Sequence, residues 1–274
     1  MPLVITSKNE TLIPIEVDTI CLPNVREQPV DEVRRTLVQH GNKQMPLGEF
    51  FDVSGSAADD NEMVWRGDCS RVKLIAANLT EGRVRVEGDA GMHLGAEMTG
   101  GEVIVDGNAA DWVGAEMHGG KIIVKGNAGH LVGAVYRGGR RGMTGGEIHV
   151  YGSAGNEIGH TMRRGMIAVG GDSGDAVGFG MIAGTVLLFG ETGIRPGAGM
   201  RRGTIGLLGT NRPPDMLPTF KGPATCRPVF LHIFLRYLQA MGFPLPEGCL
   251  EARYNRYCGD FLELGKGEIF CRAS

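Results

Sequence analysis

The sequence predicts an all-β protein, a parallel β-helix (solenoid) of 19-residue coils, and three observations point there. Glycine makes up 45 of 274 residues, against a usual share of roughly 7%. Those glycines recur at fixed positions in six consecutive segments. Between them lie short alternating runs of β-branched residues, which read as strands with every second side chain turned inward.

The segments are "GRVRVEGDAGMHLGAEMTG", "GEVIVDGNAADWVGAEMHG", "GKIIVKGNAGHLVGAVYRG", "GEIHVYGSAGNEIGHTMRR", "GMIAVGGDSGDAVGFGMIA" and "GTVLLFGETGIRPGAGMRR". They open at Gly82, Gly101, Gly120, Gly146, Gly165 and Gly184, and a truncated seventh opens at Gly203. Successive starts lie 19 residues apart, except that Gly120 to Gly146 spans 26, with the seven extra residues inside "AVYRGGRRGMTGG". Offsets two and four from each opening glycine are apolar: Val84 and Val86, Val103 and Val105, Ile122 and Val124, Ile148 and Val150. Offset 8 is small (Ala90, Ala109, Ala128, Ala154). Offset 16 carries a long apolar side chain: Met98, Met117, Tyr136, Met162, Met181 and Met200. A unit this short cannot bury its own face, so units must stack, like residue upon like. Methionine at a repeated inward position reads as adaptable core filling rather than a metal or redox column.

The flanks break the pattern, which divides the chain into residues 1–60, 61–210 and 211–274. The first is expected to be a small α/β cap in which "QPVDEVRRTLVQHG" forms one helix ending at Gly41. Residues 61–81 read as a degenerate first coil at the head of the repeat domain. The last region has a Pro-rich exit, "NRPPDMLPTF", then a helix over "RPVFLHIFLRYLQAMG" and a closing segment, giving a helical cap and docking segment. Caps at both ends answer the need to cover unpaired strand edges.

Composition excludes several classes. A net charge of −3 gives no footprint for nucleic acid. No apolar run approaches the ~18 residues needed to cross a bilayer, and the N-terminus lacks the basic-then-apolar layout of a signal peptide. A cytoplasmic protein is expected. The six cysteines show neither CxxC spacing nor the density of a disulfide framework.

Catalysis needs polar groups that converge, and the repeat offers none. Its five histidines (His93, His118, His130, His149, His160) occupy five different offsets, and Asp68, Asp89, Asp106 and Asp111 are likewise scattered. HExxH, GxSxG and GxxxxGK[ST] are absent. No catalytic or metal-binding residue is expected. One polar feature does cluster: Arg137, Arg163 and Arg201 at offset 17, Arg164 and Arg202 at offset 18, and Arg140 and Arg141 in the insertion. These seven arginines are the candidate docking edge for an acidic partner surface or a polyanion.

"GDAGMHLGAEMTGG", "GNAADWVGAEMHGG" and "GAVYRGGRRGMTGG", with "HGNKQMPLGEFFDVSG" and "YCGDFLELGKGE" in the flanks, resemble the C subunit of formylmethanofuran dehydrogenase and of the related bacterial formyltransferase/hydrolase complex. The resemblance covers nearly the whole chain. The repeat is also similar to the C-terminal domain of the glutamate synthase large subunit, which implies a right-handed parallel β-helix. The family resemblance implies a scaffold, binding no cofactor, in a cytoplasmic complex of four different subunits. Its partners would be a hydrolase-like chain carrying zinc, a molybdoenzyme-like remnant and a formyltransferase. The complex would use tetrahydromethanopterin and methanofuran to convert formyl groups to formate in formaldehyde oxidation. A molybdenum or tungsten formylmethanofuran dehydrogenase is the alternative assembly. Arginine outnumbers lysine by 21 to 7, unlike the lysine enrichment of thermophiles, which favours the bacterial complex. An autonomous β-helix enzyme and a detached glutamate synthase-like module are the readings from other classes.

Overall fold

The computed structural model describes residues 1–8, 11–209 and 215–273. The end of the truncated seventh unit (Thr210, Asn211) and the first residues of the Pro-rich exit (Arg212, Pro213, Pro214) lie outside them. The chain is mostly β-sheet with few helices. It opens with β1 (Leu3–Ser7), β2 (Ile15–Glu16), α1 (Leu22–Val25), α2 (Val30–Arg35), β3 (Leu37–His40), β4 (Lys43–Pro46) and β5 (Phe51–Ser54). Then come β6 (Glu62–Arg66), β7 (Val72–Lys73), β8 (Arg83–Glu87), β9 (Glu102–Val105), β10 (Lys121–Val124), β11 (Glu147–Val150), β12 (Met166–Val169), β13 (Thr185–Leu188) and β14 (Arg202–Leu207). The chain closes with β15 (Lys221–Cys226), α3 (Val229–Ala240), β16 (Tyr254–Gly259) and β17 (Lys266–Arg272).

One 13-stranded sheet runs β15-β16-β17-β14-β13-β12-β11-β10-β9-β8-β6-β1-β5, and every neighbouring pair from β1 to β17 is parallel. The predicted columns are in register: Val84, Val103, Ile122, Ile148, Ile167, Val186 and Ile205 are successive neighbours, and Ile269 of β17 extends the row. All are buried. Small residues make a second row of parallel bridges, Cys69–Ala90–Ala109–Ala128 and Ala154–Ser173–Thr192. Residues 61–81 contribute β6, whose Trp65 is the neighbour of Val86, with β1 on its other side.

The scattered acids and amides are structural. Asp89 Oδ1 accepts the Asn108 amide at 2.7 Å, and Asn108 Oδ1 accepts the Asn127 amide at 2.8 Å. The series continues through Ser153 and Asp172 to Glu191. A second ladder runs Asp111, His130, Asn156, Asp175 to the amide of Ile194. Each side chain satisfies the amide of the next repeat, which has no other partner among the described residues. Asn127→Ala should therefore cost about 1 kcal/mol in urea denaturation by freeing the Ser153 amide, and an unchanged midpoint would contradict the ladder.

Left-handed backbone recurs at offset 11, where Leu74, His93, Trp112, Leu131, Glu157, Ala176 and Arg195 have φ of 57 to 65°. The strain of roughly 1–2 kcal/mol each is offset by an amide bond to the next repeat, as from His93 to Asp111 O and from Trp112 to His130 O.

The N-terminal region corrects the single-helix expectation. The helix covers only Val30–Arg35; Leu37–His40 is a strand, turned at Gly41 (φ 60°) onto β4 and paired on its other side with β2. Pairing on both edges overrides helical propensity there. The C-terminal region holds the expected helix α3 but also three strands, so it is mixed rather than helical.

That helix lies on the outer face of the sheet. Towards the N-terminal end this face is charged, with ion pairs Arg83–Glu102, Arg85–Asp106 and Lys125–Asp106 between 2.7 and 2.9 Å. From β12 onward it is apolar, and Met166, Ala168, Leu187, Phe189 and Leu208 form a second core with Leu231, Leu235 and Leu238 of α3. At the junction Tyr237 donates to Glu147 at 2.7 Å, Lys121 donates to Tyr237 at 3.0 Å, and the fully buried His149 places Nε2 3.3 Å from Glu147. The His149 ring and the Tyr237 hydroxyl outweigh burial and hold the Glu147 carboxyl below its ordinary value. A lowered folded-state value stabilises above the ordinary glutamate range, and that contribution is lost as pH falls through the folded one. Glu147→Gln should thus flatten the fall in melting temperature between about pH 5 and pH 3. A mutant profile parallel to wild type would refute the coupling.

Candidate functional site

The insertion sits at one corner of the repeat, and the structure revises its register. The buried column at offset 16 is Met98, Met117, Met143, Met162, Met181 and Met200, each fully buried, while Tyr136 is displaced outward. Backbone bonds fix this: Thr144 donates to Met117 O, Arg163 to Met143 O, Ile182 to Met162 O and Arg201 to Met181 O. The next position therefore reads His118, Thr144, Arg163, Ile182, Arg201. Arg137 is not stacked on Arg163, and Ile182 stands between Arg163 and Arg201. The reason is in the sequence: "GM" recurs at Gly142–Met143, so the seven extra residues are Val135 to Arg141. Offsets counted from Gly120 through the insertion place the wrong residue in the column.

The loop is pinned at its base. The Tyr136 amide donates to Glu116 Oε1 at 3.0 Å, and Gly139 turns back onto Tyr136 O at 2.9 Å. The Tyr136 hydroxyl lies 3.0 Å from His93 Nδ1, and the His93 ring stacks on Trp112 at 5.3 Å and 22°. Burial, with the nearby Glu97 and Glu116 charges, pushes the Tyr136 hydroxyl up to about 12. Burial and the Lys73 charge push the His93 ring down. The bond between them thus joins two neutral groups at neutral pH.

Above this base Arg137, Arg140 and Arg141 are exposed, as are Arg164, Arg201 and Arg202, with Arg163 half-buried. Arg201 is bound to Glu263 at 3.2 Å. The other six make no ion pair and no side-chain hydrogen bond among the described residues. The corner is therefore a positively charged edge with unused donors, suited to carboxylate or phosphate groups.

Beside the loop base is a cleft of about 360 Å³ lined by Glu16, Asp18, Asn78, His93, Glu97 and Tyr136. Its aromatic wall is His93 and Tyr136, and Trp112, at the same offset as His93 in the next unit, stacks on the His93 ring. Its acidic wall had no sequence signal, because Glu16 and Asp18 arrive from the N-terminal region. Among the described residues no group of three or more His, Cys, Asp and Glu is placed to hold a metal ion, and no helix is long and apolar enough to cross a membrane. All six cysteines are free thiols.

The profile of the GXGXG motif family matches residues 70–215. The C subunit of the molybdenum-containing formylmethanofuran dehydrogenase 1 of Methanothermobacter wolfeii is 40% identical over 95 residues, 35% of this chain and 24% of that one. The C subunit of the tungsten-containing formylmethanofuran dehydrogenase 2 of Methanothermobacter thermautotrophicus is 39% identical over 97 residues, 34% of this chain and 36% of that one. The chain thus spans about a quarter to a third of the length of these curated relatives. A chain in the crystal structure of the formyltransferase/hydrolase complex (FhcABCD) from Methylorubrum extorquens, in complex with methylofuran, superposes with a TM-score of 0.89 at 30% identity. That match covers 99% of this chain and 100% of the other.

Proposed function

Because the chain belongs to the GXGXG motif family and is a homologue of the C subunit of formylmethanofuran dehydrogenase, we propose that it is the scaffold of a cytoplasmic C1-transfer complex. That complex converts formyl-tetrahydromethanopterin, through formylmethanofuran, to formate. The observation that carries the reading is the end-to-end match, caps included, to a chain of a formyltransferase/hydrolase complex. The molybdenum or tungsten dehydrogenase is the second reading, supported by identities near 40% over about a third of this chain.

On this reading the catalytic groups, including zinc, belong to a hydrolase-like chain and a formyltransferase, with a molybdoenzyme-like chain as third partner. The chain described above binds no cofactor of its own. Residues 61–210 form a right-handed parallel β-helix. Parallel neighbours in register at 19-residue spacing support it, as does the near-universal right hand of parallel crossovers. Residues 1–60 and 211–274 act as caps, and the arginine edge meets an acidic surface of a partner or the polyanionic tail of a furan cofactor.

The test is activity by reconstitution. The purified chain alone should neither transfer nor hydrolyse formyl groups, and adding it to the three partner chains should raise their formate production. Formate production by the isolated chain would overturn the scaffold assignment.

A further inference from the structure

The turn between β16 and β17 displays apolar side chains to solvent while being held rigidly beneath. Leu262 is 81% exposed, Leu264 54% and Phe261 50%. The turn is organised by Asp260, which is only 3% exposed. Its Oδ2 accepts the Gly199 amide at 3.0 Å and its Oδ1 the Leu262 amide at 2.9 Å. Its backbone oxygen accepts the amides of Glu263 and Gly265 at 3.1 and 2.9 Å. Phe261 donates its amide to Thr219 O at 3.1 Å, and Lys221 Nζ lies 5.0 Å from the Phe261 ring centroid. Arg201 clasps Glu263 from the adjoining corner.

Burying a carboxylate is costly unless it is well bonded, and here it fixes a short turn that carries Phe261, Leu262 and Leu264 outward, the two leucines furthest into solvent. Such pre-organisation lowers the ordering cost of association, and fixed apolar anchors at the centre of a patch carry most interface energy. The surroundings set the partner's chemistry. Arg202 and Lys266 are strand neighbours, and with Arg201 and Lys221 they place four basic groups around the turn, whose one exposed acid is Glu263, the Asp260 carboxylate being buried.

We propose that the turn Asp260–Gly265 is the apolar anchor of the arginine edge, and that Leu262 and Leu264 insert into an apolar pocket rimmed by carboxylates on a partner protein of the complex. The inference rests on the scaffold reading and names the contact through which that edge is held. A rigid six-residue turn with two leucines fits a preformed pocket better than a lipid surface, which rewards larger insertable area.

The test compares the wild-type chain with the double variant Leu262→Asp/Leu264→Asp in binding to the purified partner chains. Circular dichroism and melting temperature should be unchanged, because both side chains face solvent. The variant should bind at least about tenfold more weakly, and Leu262→Met/Leu264→Met should restore binding. Wild-type affinity in the aspartate variant would overturn the anchor and leave the scaffold reading standing. A wild-type chain that binds none of the partners would overturn both. Binding to phosphatidylserine–phosphatidylcholine vesicles that the aspartates abolish, with partner binding intact, would reassign the turn to a membrane surface and so also overturn the proposal.

Discussion

Gly120→Ala is expected to destabilise the chain by about 3 kcal/mol or more. Gly120 has φ 84°, and a Cβ there would stand 2.7 Å from the carbonyl oxygens of both Gly100 and Gly101. Those atoms belong to the backbone where the two preceding repeats join, so no rotamer change relieves the contact. The repeats would have to separate where their amides are bonded, since Lys121 donates to Gly101 O at 3.0 Å. Gly138 supplies the control. Its φ of 86° is nearly the same, but nothing lies within 4 Å of its Cβ position. Gly138→Ala should therefore cost only the left-handed strain, roughly 1–2 kcal/mol. Urea denaturation of both variants separates strain from stacking. Equal losses would mean that tight repeat-to-repeat spacing is not what the glycine serves.

Arg140→Glu/Arg141→Glu should leave the melting temperature unchanged, because both side chains are exposed and unpaired. Binding to the partner chains should weaken by about tenfold or more, mainly through slower association. The defect should shrink as salt rises, since exposed charges beyond a Debye length of about 10 Å at 0.1 M salt are screened. Arg201→Glu is a less clean probe, because it also breaks the pair with Glu263 and disturbs the turn above it. Association rates measured at low and high salt decide the matter: identical rates for variant and wild type would remove the arginines from the docking edge.

Most of the repeat was legible in the residues. Glycine spacing and the β-branched pairs at offsets two and four identified the strands, their inward rows and their stacking order. Three features were not, for different physical reasons. The methionine register failed across the insertion because Tyr136 is long and apolar enough to imitate Met143, and only the interrepeat amide bonds distinguish them. The second core left a faint trace: outward positions change from Arg83 and Arg85 to Ala168 and Leu187, and continuous apolar runs such as "MIAV" and "TVLL" mean burial on both faces. The left-handed offset 11 carries no signal, because residues as unlike as Leu74, Glu157 and Arg195 adopt it under the constraint of the neighbouring repeat. At the candidate site the arginines were legible as a composition feature. The anchoring of their loop by Glu116, His93 and Trp112 was not, since it depends on repeats 20 to 43 residues away. The apolar turn was hidden by its position in a closing segment outside the period.

The scaffold assignment is tested most directly by tagging the chain in its native host and weighing the intact assembly by native mass spectrometry, with each component identified. The account predicts a stable hetero-oligomer that contains this chain together with hydrolase-like and formyltransferase-like proteins, without molybdenum or tungsten. Recovery of the chain as a homo-oligomer with no partner would contradict it.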